Sequence, residues 1–140
     1  MNRHESREQA FVFLFESTFG VDDINEIIEL AKISRDLEIS DFAKKLFLGV
    51  KSKQSEIDEC IEKYLKEWKK DRLSRVTISI LRLAVYEILF EDEIPVSVSI
   101  NEAVELGKKY STKENATYIN GVLGSLSKDI QKCNANDETC

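Results

Sequence analysis

The chain has 140 residues, enough for one domain that buries roughly two thirds of its unfolded surface without disulfide or metal staples. Its net charge of −6, from 26 acidic and 20 basic residues, excludes a surface that binds nucleic acid indiscriminately, because that attraction comes from Lys and Arg neutralising phosphates. The three cysteines form no C-x-x-C pair, no signal-peptide pattern is present, and Arg82 and Glu87 interrupt the longest apolar run below the roughly 18 residues of a membrane span, so a cytoplasmic protein with reduced thiols is expected.

One proline and five glycines leave few breakers, and apolar residues recur at helical spacing, which predicts an all-α fold of about seven helices. A first helix runs from about Glu5 to Thr18, with Ala10, Phe11, Leu14 and Phe15 on one face and Gly20 as its stop. Asp22 opens a second, carrying Ile24, Ile27, Ile28 and Ala31. Ser40 caps a third with Phe42, Ala43, Leu46, Phe47 and Val50, and a fourth carries Ile57, Ile61, Tyr64, Leu65 and Trp68. Gly49 or Ser52 marks the boundary between them, and Ser55 with Asp58 has capping-box spacing.

The fifth helix, about Leu73 to Phe90, is apolar on most sides and should be the central, buried one; its Arg82 and Glu87 then require internal partners or a bound one. Pro95 or Ser99 starts the sixth, where Ser99 and Glu102 repeat the capping-box spacing, as do Ser111 and Glu114 before the seventh. Ile119, Val122, Leu123, Leu126 and Ile130 form that last helix's stripe, and Gly121 and Gly124 predict close approach of another backbone. The polar residues from Lys132 onward are expected to be a disordered tail, 133–140 lying outside the domain of 1–132.

Catalytic chemistry finds little support. His4 is the single histidine and lies near a terminus, no Walker, dinucleotide or zinc spacing occurs, and pairs such as Glu102 and Glu105 read as solvated helix face. No enzyme, cofactor or metal is expected. A local excess of cations does occur between Glu62 and Arg75, where Lys63, Lys66, Lys69, Lys70, Arg72 and Arg75 outnumber the anions; alone, this reads as a solvated helix face with i,i+4 pairs.

Leu81 to Glu87, Ile94-Pro95-Val96, Ile100-Asn101-Glu102-Ala103-Val104-Glu105-Leu106 and Tyr118-Ile119-Asn120-Gly121-Val122-Leu123 stand in the order and approximate spacing of the NusB family of transcription antitermination factors. Arg7-Glu8-Gln9-Ala10 with Leu14-Phe15 is similar to that family's first helix, so the resemblance runs from about Arg3 to Ile130. It implies two packed helical subbundles, about 1–53 and 54–132. The implied function is to bind the boxA element of nascent ribosomal RNA together with NusE, a small-subunit ribosomal protein, within an elongation complex holding other Nus factors. Homodimers as well as monomers are known in the family.

By the family pattern Arg3, Arg7 and Lys113, and from the local cation excess Arg72 and Arg75, are candidates for phosphate contact, and Tyr118 for stacking on an unpaired base, with a core position opening the last helix as its alternative. Two positions depart from the pattern. Glu5 interrupts the N-terminal arginines, and Thr77 stands where the family usually has an acidic residue that helps hold the protein partner; Phe15 and Phe19 are candidates for the apolar part of that interface, with core packing as the alternative. A helical protein-protein module of the same fold, without RNA binding, is the alternative function. Methyltransferases that carry such a domain before a catalytic one are set aside, since 140 residues leave no room for both.

Overall fold

The computed structural model describes residues 2–20, 25–29, 38–65 and 73–130, with the backbone alone of 131–135. Among these the chain is helical: α1 Arg3–Ser17, a stretch at residues 25–29 that we label α2, α3 Asp41–Ser52, α4 Gln54–Tyr64, α5 Arg75–Phe90, α6 Val96–Tyr110 and α7 Lys113–Ala135. The expected residues Asp22, Ile24, Ala31 and Trp68 lie outside the described residues.

α5 forms the centre because its sequence leaves it no polar face: every residue from Thr77 to Ile88 except Arg82 is buried. It packs against α1, α3, α4, α6 and α7, while α1 pairs with α3 and α6 with α7. A single core cluster runs through all of them, from Phe13 and Phe47 on one side to Ile119 and Leu123 on the other. The charges on α5 are compensated as a low-dielectric interior demands. Arg82 donates Nε and Nη2 to the two carboxylate oxygens of Asp58 on α4, at 2.9 and 3.0 Å.

Several helix ends differ from the sequence expectation, each for a local reason. Ser40 does cap α3, accepting from the Ala43 N–H, but α4 starts after Lys53 without a side-chain cap, since Asp58 is engaged by Arg82 rather than folding back on Ser55. Ser74 caps α5 by accepting from the Thr77 N–H. Pro95 opens α6, which leaves Ser99 inside the helix, where its hydroxyl serves Glu87 instead of a cap. Thr112, not Ser111, caps α7, its hydroxyl accepting from the Asn115 N–H at 3.0 Å. α7 continues to Ala135, so residues 133–135 are helix rather than tail.

The glycines also exchange roles. No neighbouring atom lies within 4 Å of where a Cβ would sit at Gly121 or Gly124, whereas one at Gly107 would meet the Ala116 Cα at 3.2 Å, so it is Gly107 that lets α6 and α7 approach closely. Gly49 faces the Tyr86 ring, which a Cβ would overlap. Gly49→Ala should therefore destabilise the fold by about 1–3 kcal/mol, the usual cost of overpacking, because Tyr86 is buried and its hydroxyl donates to Glu91. Urea denaturation checks this; an unchanged midpoint would mean that Tyr86 swings aside freely.

Candidate nucleic-acid interface

Residues 3, 7, 11, 15 and 19 recur at intervals of four along α1 and its C-terminal turn, so Arg3, Arg7, Phe11, Phe15 and Phe19 form one slowly winding line. The rings touch in succession. Phe11 and Phe15 have centroids 6.3 Å apart, Phe15 and Phe19 meet edge-to-face at 5.2 Å, and Tyr110 at the end of α6 lies 4.9 Å from Phe11. The inner rings belong to the core, but the outer ones do not: Phe19 is 58% exposed, Tyr110 38%, and Phe15 is half-buried. The Arg75 guanidinium lies over the Phe19 ring at 4.5 Å. The opposite end of the line carries Arg3, exposed and stacked over Phe42 of α3 at 3.8 Å.

This arrangement brings together two candidates of different expected roles. Arg75, expected on phosphate, and Phe19, expected on a protein partner, form one exposed patch with Phe15. Arg3 does not join it, because the 15 residues of α1 place about 22 Å between its ends. Lys113 is exposed at the start of α7 and lines a separate cleft between α6 and α7. Arg72 lies outside the described residues.

Two candidates are corrected by their surroundings, and a third is partly enclosed by them. Arg7 is only 4% exposed, and its Nε donates to both carboxylate oxygens of Glu87 at 3.0 Å, so its charge is spent inside the protein and not on phosphate. Burial pushes the Glu87 carboxyl up from its ordinary value, while Arg7 and the Ser99 hydroxyl, which donates to it at 3.2 Å, pull it down. Thr77 is 3% exposed, and its N–H and hydroxyl oxygen are both taken by Ser74, so it presents no surface to a partner. Tyr118 is half-buried against the core beside Tyr64, Gly121 and Val122, on a different flank from the α1 line. This half-buried packing matches its alternative as a core-facing residue opening the last helix, and leaves part of the ring accessible.

Tyr110 is a site residue that the sequence expectations do not include. The triplet Lys108-Lys109-Tyr110, cations beside an aromatic at a helix end, was the available signal. Lys109 itself is neutralised by Glu8, with Nζ 2.7 and 3.0 Å from its oxygens. His4 similarly ties the first turn of α1 to α6 through Glu102 at 2.6 Å. The hydrogen bond and charge of Glu102 raise the His4 pKa above 6.5, so the contact's contribution is complete below 6.5 and fades as pH rises through the folded value. An NMR titration should find His4 titrating above 6.5, and Glu102→Gln should remove most of the elevation. An unshifted His4 would show that the pair does not form in solution.

A sequence profile described as the NusB family matches residues 4–128. The chain is 44% identical over 143 residues to the transcription antitermination protein NusB of Clostridium botulinum (strain Kyoto / Type A2), an alignment covering 90% of this chain and 99% of that protein. Its fold is similar to a solved structure of T. maritima NusB, with a TM-score of 0.79 at 36% identity and coverage of 91% and 92% of the two chains. It also matches a chain in a crystal structure of antitermination factors NusB and NusE in complex with dsRNA, with a TM-score of 0.80 at 29% identity and coverage of 92% and 99%.

Proposed function

The chain belongs to the NusB family, and from that premise we propose that it is a transcription antitermination factor which binds boxA RNA of nascent ribosomal transcripts jointly with NusE. The observation that carries the site is the exposed Phe19 ring under Arg75, backed edge-to-face by half-buried Phe15, with exposed Tyr110 packed on Phe11 of the same line, on a chain whose net charge is −6. Exposed rings take unpaired bases, and an arginine held over the outermost ring can reach the phosphates beside them. Arg3, at the other end of α1, and Lys113, in the α6–α7 cleft, are exposed cations outside that patch.

NusE then serves two purposes in this reading. It adds cationic surface that an acidic chain lacks, and it fixes the RNA against rings that have no base specificity of their own. In this reading the role is binding rather than catalysis, as the family's antitermination factors imply. No described helix is long and apolar enough to cross a membrane, and the place of action is the cytoplasm, where transcripts are made.

The burial of Arg7 and the neutralisation of Lys109 favour one competing reading, a helical module that retains protein partners but not RNA. Titrating a labelled boxA oligonucleotide with the protein, alone and with NusE, at several salt concentrations separates them. Binding that tightens with NusE and weakens with salt is expected; no binding even with NusE present supports the module.

A further inference from the structure

The two asparagines of the family-like motifs, Asn101 and Asn120, are not absorbed by the α1 surface, yet they converge. α6 and α7 run antiparallel through Ser111 and Thr112, and between them lies an open cleft of about 480 Å³ lined by both asparagines. That volume falls in the range of small-ligand sites, roughly 300–1,000 Å³. Lys108 and Lys113 stand at the end of the cleft nearest Tyr110, and Ile100 and Val104 give it an apolar wall. Asn101 and Asn120 are exposed, and among the described residues neither side chain has a hydrogen-bond partner.

We propose that this cleft receives one unpaired nucleotide of the bound RNA, with the Asn101 and Asn120 amides pairing to the base edge and Lys108 and Lys113 holding its phosphates. The inference rests on the RNA-binding reading and extends it to a second element. An amide presents a donor and an acceptor side by side, the pattern needed to pair with a base edge, and single-stranded RNA is read by such contacts to splayed bases. The apolar wall suits the face of a base, and the two lysines lining the same cleft suit its phosphates. The ring stack binds without regard to sequence; the cleft is where sequence is read.

The test is boxA binding in the presence of NusE by wild type, by Asn101→Ala/Asn120→Ala and by Arg75→Ala, with oligonucleotides made abasic at one position at a time. Both asparagines are exposed, and circular dichroism verifies that the fold survives. The double variant should bind about tenfold more weakly. Removal of the base at one position should erase that difference, the coupling expected of direct contact. Wild-type-like affinity of the double variant overturns the cleft assignment while leaving the RNA reading intact if Arg75→Ala still weakens binding. A loss with no single coupled position also overturns it. Failure of the wild type to bind removes both. Adenosine monophosphate is the control ligand: side-chain amide shifts of Asn101 and Asn120 with the mononucleotide but not with RNA would assign the cleft to a free nucleotide and contradict the proposal.

Discussion

Replacing Arg7 by alanine should destabilise the protein by about 3–5 kcal/mol, far more than loss of a surface phosphate contact would, because it strands the Glu87 carboxylate, 2% exposed, among apolar side chains. Glu87→Ala should cost a similar amount by stranding the arginine. Replacing both by apolar residues of similar volume, Arg7→Met with Glu87→Leu, should recover most of the loss, since burial of the pair already consumes much of its Coulombic gain. The raised Glu87 carboxyl points the same way. Its native pKa lies above the ordinary 4.5, so the folded state retains a proton that the unfolded chain has released. Stability attributable to this group is therefore highest below 4.5, falls as pH rises to the native value, and is flat beyond it. Chemical denaturation of the single and double variants checks the series; an Arg7→Ala protein of unchanged stability but weakened RNA binding would restore Arg7 to the RNA surface.

The second large effect concerns the outer ring pair. Phe19→Ala with NusE present should weaken boxA binding by about 1–3 kcal/mol, the usual worth of one base–aromatic stack, at little cost in stability, because the ring is 58% exposed. Arg75→Ala should lower affinity and reduce the slope of log affinity against log salt by about 0.7, one counterion on a single strand. Arg75→Lys should keep the slope but weaken the contact over the Phe19 ring, since a compact ammonium lacks the planar face that a guanidinium can stack. Fluorescence titrations across salt concentrations read both quantities. A Phe19→Ala protein with native affinity would exclude the ring from the site.

Much of the fold was legible in the sequence because it is written in local pattern. The all-round apolar character of α5 announced a central helix, and Ser40 ahead of Phe42 announced a cap. What failed were features whose meaning depends on distant residues. Ser99 has the spacing of a cap, but the acid buried twelve positions earlier claims its hydroxyl. Gly121 and Gly124 have the look of a contact seam, yet Gly107 makes the contact, because only the pairing of α6 with α7 decides which glycine meets a backbone.

The site was less legible for the same reason. Arg7 and Arg75 are both cations in basic or polar stretches, and nothing within either segment distinguishes the buried one from the exposed one. The difference arises from Glu87, 80 positions from Arg7, and from Phe19, which lies on the far end of α1. Tyr110 was not legible because its ring neighbour in space, Phe11, lies on another helix.

The central claim is that RNA lies along the exposed ring line of α1 and α6. Mapping amide and aromatic NMR shifts of the NusE-bound protein on addition of boxA RNA tests it most directly. Shifts concentrated at Phe15, Phe19, Arg75 and Tyr110, with Leu48, Lys53 and Phe90 on the α3–α5 flank unmoved, are predicted. Shifts confined to that other flank, or none anywhere, would contradict it.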